Sequence, residues 1–174
     1  MDVFERYTNL GSVKTTNSHS LSRQQVSALA DGIHAKGGRV VFTNGVFDLL
    51  HPGHVRYLID ARRFGDALIV AINSDRSVRA NKGPSRPVTP QHERAEIVAA
   101  LRSVDAVTIF DEDTPHALIE SIQPDVLIKG ADWDADNIVG RDIVEARGGT
   151  VVRIELAKGF SSTRLMEKIR GVRP

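Results

Sequence analysis

A chain of 174 residues has the length of one domain and is long enough to bury a single hydrophobic core. Its 23 Lys and Arg residues nearly balance its 22 Asp and Glu residues, which argues against a nucleic-acid-binding or membrane-surface protein, because both depend on excess positive charge. The absence of cysteine excludes disulfides, thiolate metal sites and a cysteine nucleophile.

The N-terminal segment, residues 1–20, is polar and has no apolar stretch of the kind found in a signal peptide. No later apolar run approaches the roughly 18 residues that a transmembrane helix needs. We therefore expect a cytoplasmic protein that does not associate with membranes. Residues 1–20 are predicted to form a flexible arm, and residues 21–174 are predicted to form the folded domain.

Apolar segments and helical patterns alternate along the rest of the chain. The short apolar segments predict β-strands at 39–42, 67–72, 106–110, 125–128 and 150–156. Helices are predicted at 21–36, 53–63, 90–101, 115–121, 137–147 and 162–170. Several strands are continuously apolar, as strands covered on both faces are. This alternation predicts a single α/β domain with a Rossmann-like, doubly wound parallel sheet of five strands.

The segment TNGVFDLLHPGH, residues 43–54, follows the first predicted strand. Pro52 is suited to the first turn of a helix, and Gly53 removes a side chain where a ligand approaches the backbone. His51 and His54 are three residues apart, so both can project to one side of the helix start. Free amide groups and the helix dipole favour an anion there. We interpret this segment as a phosphate-binding site.

The two histidines are open to other interpretations. A lone histidine at a helix start is more often a cap or a surface residue than a catalyst. His51 and His54 could also hold a metal with Asp48 as a third ligand, but a proline between two ligands fits a tight turn better. The chain contains neither the G-x-G-x-x-G pattern nor the P-loop pattern, which excludes the usual dinucleotide fingerprint and the Walker A site.

These residues resemble the signature of the HxGH nucleotidylyltransferase superfamily, and the resemblance continues through the segments 72–88, 93–101, 125–133, 138–154 and 159–169. Within it, KGPSRPV, IKGADW and IVGRDIV are most similar to the heptose 1-phosphate adenylyltransferase family, which occurs as a free enzyme or as the C-terminal domain of a kinase fusion. The resemblance implies attack of a sugar phosphate oxygen on the α-phosphate of ATP, with release of pyrophosphate.

The resemblance also implies site residues. His51, His54 and Lys82 are expected to be catalytic. Nucleotide contacts are expected in three places: Thr43, Asn44, Gly45, Phe47 and Gly53 near the first strand, Lys129, Gly130, Asp132 and Trp133 in the base pocket, and Ser161, Ser162, Thr163 and Arg164 around the β- and γ-phosphates. Capping of the last helix explains Ser161, Ser162 and Thr163 equally well. Trp133 also fits a half-buried packing residue.

Lys82 lies in a run that carries Arg76, Arg79 and Arg86 with no acidic residue. Such a run is usually a solvated face. Because it follows a predicted strand and contains Gly83-Pro84, we interpret residues 76–86 as a loop on the ligand side. The resemblance implies that Lys82 in this loop contacts phosphate.

Acceptor contacts are expected from Asp48, Asp75 and Arg94. Asp75, at a strand exit, is a candidate partner for sugar hydroxyls. Asp48 has an equally good structural interpretation, in which it braces the turn around it. Arg94 is also compatible with a surface arginine paired to a neighbouring glutamate.

The predicted reaction joins AMP from ATP to D-glycero-β-D-manno-heptose 1-phosphate. No carboxylate cluster suggests a metal cage, so Mg²⁺ is expected to be held mainly by the triphosphate. A separate sugar kinase and a homodimer are also expected. The alternatives are a glycerol 3-phosphate cytidylyltransferase, a flavin adenylyltransferase and a noncatalytic nucleotide sensor, and the base-pocket residues alone do not separate ATP from CTP.

Overall fold

A computed structural model describes residues 20–131, 133–134, 137–155, 157 and 159–171. Within them the strands are β1 (Val40–Gly45), β2 (Ala67–Asn73), β3 (Ala106–Phe110), β4 (Val126–Gly130) and β5 (Thr150–Ile154). The helices are α1 (Arg23–His34), α2 (Pro52–Arg62), α3 (Asp75–Lys82), α4 (Gln91–Ala99), α5 (His116–Ile122), α6 (Arg141–Ala146) and α7 (Ser162–Gly171). The predicted arm over residues 1–20 lies outside the described residues except for Ser20, so it stays a prediction.

The strands form one parallel sheet in the order β3-β2-β1-β4-β5. The prediction of a five-stranded, Rossmann-like doubly wound sheet is confirmed. Strand order reverses at β1, which pairs with β2 on one side and with β4 on the other. In sheets of this kind the crevice at the carboxyl ends of the strands beside the reversal is where ligands bind.

Helices cover both faces of the sheet. On one face, here called the α2 face, Val41 and its neighbours pack against α2 and α4. On the other, here called the α5 face, Val40 and Phe42 pack against α1, α5 and α6. Because successive side chains of a strand point to opposite faces, the continuously apolar strands supply both cores. Among the described residues, no helix is long and apolar enough to cross a membrane.

Two helical segments differ from the prediction. Residues 75–82 form α3, not a loop, and the Ser74 hydroxyl caps this helix by accepting a hydrogen bond from Ser77 N at 3.1 Å. Its sequence is polar, and only one of its two buried residues, Ser77 and Val78, is apolar, so it lacks the apolar positions by which a helix is predicted. Helix α6 begins at Arg141, four residues later than predicted, since Gly140 packs on α5: a Cβ atom there would lie 2.5 Å from Ile119 Cδ1.

Candidate functional site

The turn between β1 and α2 brings two imidazole rings together. His51 is the N-cap of α2, and its Nδ1 accepts a hydrogen bond from His54 N at 3.4 Å. The two rings stack with centroids 3.8 Å apart and planes 13° from parallel. Phe47, at a φ of 47°, packs its ring 5.2 Å from that of His54. Gly45 makes this possible, because a Cβ atom there would lie 2.9 Å from Phe47 Cε2.

Both imidazoles are held neutral near pH 7. Burial, followed by electrostatic interaction with the nearby His51 and Lys82, lowers the pKa of His54 to about 4. Burial also lowers the pKa of His51. The Nδ1 atom of His54 is buried without a hydrogen-bond partner among the described residues. His54 is also one of the residues that line the cavity next to the two rings.

That cavity, here called the first cavity, has a volume of about 320 Å³. It lies above the carboxyl end of β1, between the two histidines and the start of α7. Its lining includes Asn44, Gly45, Phe47, His51, Gly53, His54, Lys82, Gly130, Trp133, Ser161, Ser162 and Thr163. Backbone amides at the start of a helix, imidazole N–H groups and a lysine together favour a polyanion.

The start of α7 forms the wall opposite the histidines. The Ser161 hydroxyl accepts a hydrogen bond from Arg164 N at 3.1 Å, and the Ser162 hydroxyl donates to Leu49 O at 3.1 Å. The predicted capping is therefore present, and it ties α7 to the β1–α2 turn. Phe160 adds a ring 6.2 Å from that of His51. The guanidinium of Arg164 lies beside Gly159, and its predicted phosphate contact stays a prediction.

The carboxyl end of β4 places consecutive residues in different surroundings. Gly130 lines the first cavity, whereas the Lys129 ammonium donates a hydrogen bond to Asn44 Oδ1 and lies 5.4 Å from the centroid of the Trp133 ring. Burial lowers the pKa of Lys129 to about 8. Trp133 is 51% exposed, so it is a wall residue rather than a core residue. Asp132 lies outside the described residues, and its role stays a prediction.

A second cavity, of about 470 Å³, adjoins the first. The two share five lining residues: Asn44, Gly45, Val46, Lys82 and Trp133. The remaining wall of the second cavity comes from the ends of β2 and β4, from α3 and from the segment between β3 and α5, and includes Asn73, Asn81, Asp113, Thr114 and Lys129. Most of these residues escaped the sequence analysis, because they are far apart in the chain and form no motif.

Comparison with known proteins decides the family. Residues 42–168 match the family model described as cytidylyltransferase-like. The chain belongs to the cytidylyltransferase-like family. The match begins within β1 and ends within α7, and so includes both the HxGH segment and the start of α7.

Two similar proteins of known sequence are named Bifunctional protein HldE. The one from Gluconobacter oxydans is 52% identical over 143 residues, which are 82% of this chain and 30% of the relative. The one from Geobacter sulfurreducens is 55% identical over 135 residues, 78% of this chain and 28% of the relative. The chain thus spans under a third of the length of these curated relatives. The predicted resemblance to the heptose branch is confirmed.

A solved structure shares this fold. The lipopolysaccharide core biosynthesis protein from Thermoplasma volcanium superposes with a TM-score of 0.59 at 28% sequence identity, over 71% of this chain and the whole of that chain. This chain is therefore similar in fold to that protein over most of the described residues.

In this cytidylyltransferase-like chain, Thr43 has a structural role. It was predicted to contact the nucleotide, but the residue is fully buried on the α2 face of β1. Its hydroxyl pairs with the Tyr57 hydroxyl at 2.8 Å and donates to Ile128 O at 3.0 Å. It therefore links β1 to α2 and to β4 below the first cavity.

Asp48 braces the turn, which is the structural alternative considered for it, and does not offer its carboxylate to an acceptor. One carboxylate oxygen accepts from Arg86 Nε at 2.7 Å. The other accepts from the backbone N–H groups of Val88 and Thr89, at 2.8 and 2.9 Å. With 1% of the side chain exposed, both oxygens are engaged in holding the segment 83–90 against the β1–α2 turn.

Arg94 fits neither of its predicted roles, because its side chain is completely buried. It pairs with Asp75 Oδ1 at 2.6 Å, which engages one of the two carboxylate oxygens of Asp75. The predicted contact of Asp75 with sugar hydroxyls stays a prediction. Arg94 also donates to the carbonyl oxygens of Val46, Asn73 and Thr89 at 2.6 to 2.9 Å. A helical pattern alone gave no sign of these partners, which come from separate segments. The pair acts as scaffold beneath the site.

Lys82, the last residue of α3, lines both cavities. Helix α3, rather than a loop, thus delivers the lysine to the boundary between the cavities. Its predicted contact with phosphate stays a prediction with suitable geometry.

Proposed function

We propose that this chain transfers AMP from ATP to D-glycero-β-D-manno-heptose 1-phosphate, producing ADP-heptose and pyrophosphate. The observation that carries the proposal is the first cavity, where the stacked His51 and His54 face the start of α7. The heptose acceptor is supported by about 50% identity to proteins named HldE and by the likeness to a lipopolysaccharide core biosynthesis protein.

In the proposed reaction, an oxygen of the sugar phosphate attacks the α-phosphorus of ATP. A new P–O bond forms as the bond from the α-phosphorus to the oxygen bridging to the β-phosphorus breaks, and its electron pair leaves with pyrophosphate. Since the attacking phosphate is already an anion, no general base is required. The protein contributes positioning and charge stabilisation.

The imidazoles suit this role because they are neutral donors. With its pKa near 4, His54 enters the reaction uncharged and donates a hydrogen bond from Nε2. That bond strengthens as negative charge builds on the phosphate oxygens, which is what separates transition-state stabilisation from simple binding. The amides at the start of α7 hold the β- and γ-phosphates, and Lys82 offsets charge between the two cavities.

We propose that Mg²⁺ enters with the nucleotide. Among the described residues, no group of three or more His, Asp or Glu side chains is arranged to hold a metal, and the carboxylate of Asp48 is engaged. The triphosphate oxygens are the natural ligands of this hard cation. When bound, it reduces the negative charge that the incoming acceptor phosphate meets.

The proposal also names partners. The sugar 1-phosphate is expected from a kinase activity outside these 174 residues, and a homodimer remains part of the proposal. Cytoplasmic location follows from the nature of the substrates.

A matrix of substrates tests the function. Pyrophosphate release is measured for ATP, CTP, GTP and UTP, each with heptose 1-phosphate, glycerol 3-phosphate and FMN. We expect release with ATP and heptose 1-phosphate, and its loss in a His51→Ala/His54→Ala variant. A preference for CTP with glycerol 3-phosphate, or for ATP with FMN, would reassign the enzyme to a sister activity. Nucleotide binding without release in any combination would indicate a sensor.

A further inference from the structure

Three neighbouring strands end in polar side chains on the same face of the sheet. On the α5 face, Phe42, Ala71 and Leu127 belong to the buried core. The residues two positions further along each strand are Asn44, Asn73 and Lys129, and all three line the second cavity. Because strand side chains alternate with a period of two, these three belong to the same face as that core. The second cavity therefore has a polar floor built by the sheet itself.

Lys129 carries the charge of this floor. The residue is only 5% exposed, and its ammonium bonds to a neutral amide oxygen, that of Asn44, beside the Trp133 ring. Burial of an ammonium is unfavourable unless it gains a partner, and the lowered pKa of Lys129 has this origin. An anion bound in the second cavity would supply the missing charge.

The remaining wall of the second cavity suits a polyol. Asn81 and Asp113 are exposed and offer amide and carboxylate groups. The amide nitrogen of Asn81 donates to Ser77 O at 3.0 Å, which orients the side chain and leaves its oxygen as an acceptor. Val78 and Pro115 add apolar surface. Hydrogen-bonding groups beside apolar patches match the hydroxyl and C–H faces of a sugar.

We propose that the second cavity is the acceptor site, where the Lys129 ammonium binds the phosphate of the sugar 1-phosphate while Asn81 and Asp113 bind hydroxyl groups of the sugar. The inference rests on the proposed function and deepens it. Lys129 then binds the acceptor, whereas the resemblance had implied that it contacts the nucleotide base. The shared edge of the two cavities, marked by Lys82, lets the acceptor phosphate approach the α-phosphorus from outside the nucleotide cavity.

Lys129→Met tests the charge, with Lys36→Met as the matched control at an exposed lysine after α1. We expect KM for the sugar 1-phosphate to rise about ten- to a hundredfold, because a charge-assisted hydrogen bond is lost. KM for ATP is expected to change less than about twofold, since Lys129 lies outside the first cavity. A rise confined to ATP, or no rise in either constant, would overturn the proposal.

Two further variants keep the test decisive if Lys129→Met fails to fold. Asn81→Ala and Asp113→Ala change exposed side chains, so we expect folded proteins whose KM for the sugar 1-phosphate rises several-fold, with unchanged KM for ATP. An unchanged KM for the sugar 1-phosphate in both variants would overturn the proposal.

The pH profile gives a readout that a purely structural lysine would not produce. In the protein without bound acceptor, Lys129 loses its proton above a pH of about 8, so the affinity of the wild type for the sugar 1-phosphate should decline there. Lys129→Arg should move this decline to higher pH, because arginine keeps its charge. Calorimetric binding of heptose 1-phosphate, mannose 1-phosphate and glycerol 3-phosphate separates the proposed acceptor site from the proposed identity of the substrate. Lys129-dependent binding of another sugar phosphate would leave the acceptor site standing and revise the proposed substrate, while binding independent of Lys129 would overturn the site.

Discussion

The two cavities of this crevice are built in opposite ways. The first takes most of its groups from two continuous stretches, the β1–α2 turn and the start of α7, and its donors are backbone amides and imidazoles held neutral by burial. The second collects single residues from the ends of three strands, from α3 and from the β3–α5 segment, and its floor carries a buried ammonium. Local sequence therefore specifies the first cavity, and sheet topology specifies the second.

The two cavities also differ in the charge of their hydrogen-bond donors. Neutral donors in the first cavity interact more strongly as charge develops on the reacting phosphate, so they favour a lower barrier. A lysine ammonium in the second cavity meets an acceptor that is already charged, so it favours binding. Variants in the first cavity should thus change kcat, and variants in the second should change KM for the acceptor.

Arg94→Met should have the largest effect, because it damages the support of both cavities. The change leaves Asp75 without its guanidinium and three carbonyl oxygens without a donor, and breaking such a buried pair costs about 3–5 kcal/mol. Chemical denaturation measures the loss. Arg76→Met is the control, since its ion pair with Asp111 is more than half exposed and such surface pairs contribute little to stability. Equal losses in the two variants would contradict the scaffold role of Arg94.

His54→Ala tests the first cavity alone. Loss of a donor to the transition state is expected to lower kcat on the order of 100-fold or more, with a smaller effect on the affinity for ATP. Steady-state kinetics and ATP titration measure the two quantities. Near-normal turnover in a folded variant would reduce His54 to a structural part of the turn.

Lys82→Ala tests the boundary between the cavities. Because Lys82 lines both, we expect KM for ATP and KM for the sugar 1-phosphate to rise together by about tenfold, with little change in melting temperature for an exposed side chain. The double rise distinguishes it from Lys129→Met. A large fall in melting temperature with intact kinetics would indicate that Lys82 has a structural role in α3.

The neutral state of His54 makes stability depend on pH. A histidine in an unfolded chain has a pKa of about 6.5, whereas His54 in the folded chain has a pKa of about 4. Between these values the unfolded chain binds more protons, so the free energy of unfolding falls as the pH drops through this window. His54→Asn should flatten the dependence, and His116→Asn, at the exposed start of α5, should leave it as in the wild type. An unchanged slope in His54→Asn would show that His54 is not the source.

Thr43→Val should give the smallest effect. It keeps the shape of a fully buried side chain and removes the hydroxyl that joins Tyr57 and Ile128, for an expected loss of about 1 kcal/mol without a change in KM. Thr108→Val is the matched control, because the buried Thr108 hydroxyl has no hydrogen-bond partner among the described residues. We expect that control to be neutral or stabilising. A raised KM for ATP in Thr43→Val would restore the predicted nucleotide contact.

The sheet was predictable because its signal is local: each strand is a short apolar run, and the observed bounds lie within a few residues of those expected. The HxGH turn was predictable for the same reason. Helix α3 was not predictable in this way, because it buries only Ser77 and Val78 and its apolar pattern is therefore weak. The burial of Arg94 and the engagement of Asp48 depend on carbonyl and amide groups from distant segments, which side-chain identities do not encode. The polar ends at Asn44, Asn73 and Lys129 were visible in retrospect, two positions beyond the last core residue on one face.

The carboxylate of Asp48 has a consequence for redesign of this enzyme scaffold. It joins the turn that carries the histidines to the segment 83–90 through Arg86 and two backbone amides. A segment grafted there from a relative must therefore present an arginine and two free amides at the same positions. Insertions are best placed before Arg86, near the exposed Pro84 and Ser85, where they leave the contacts of Asp48 in place.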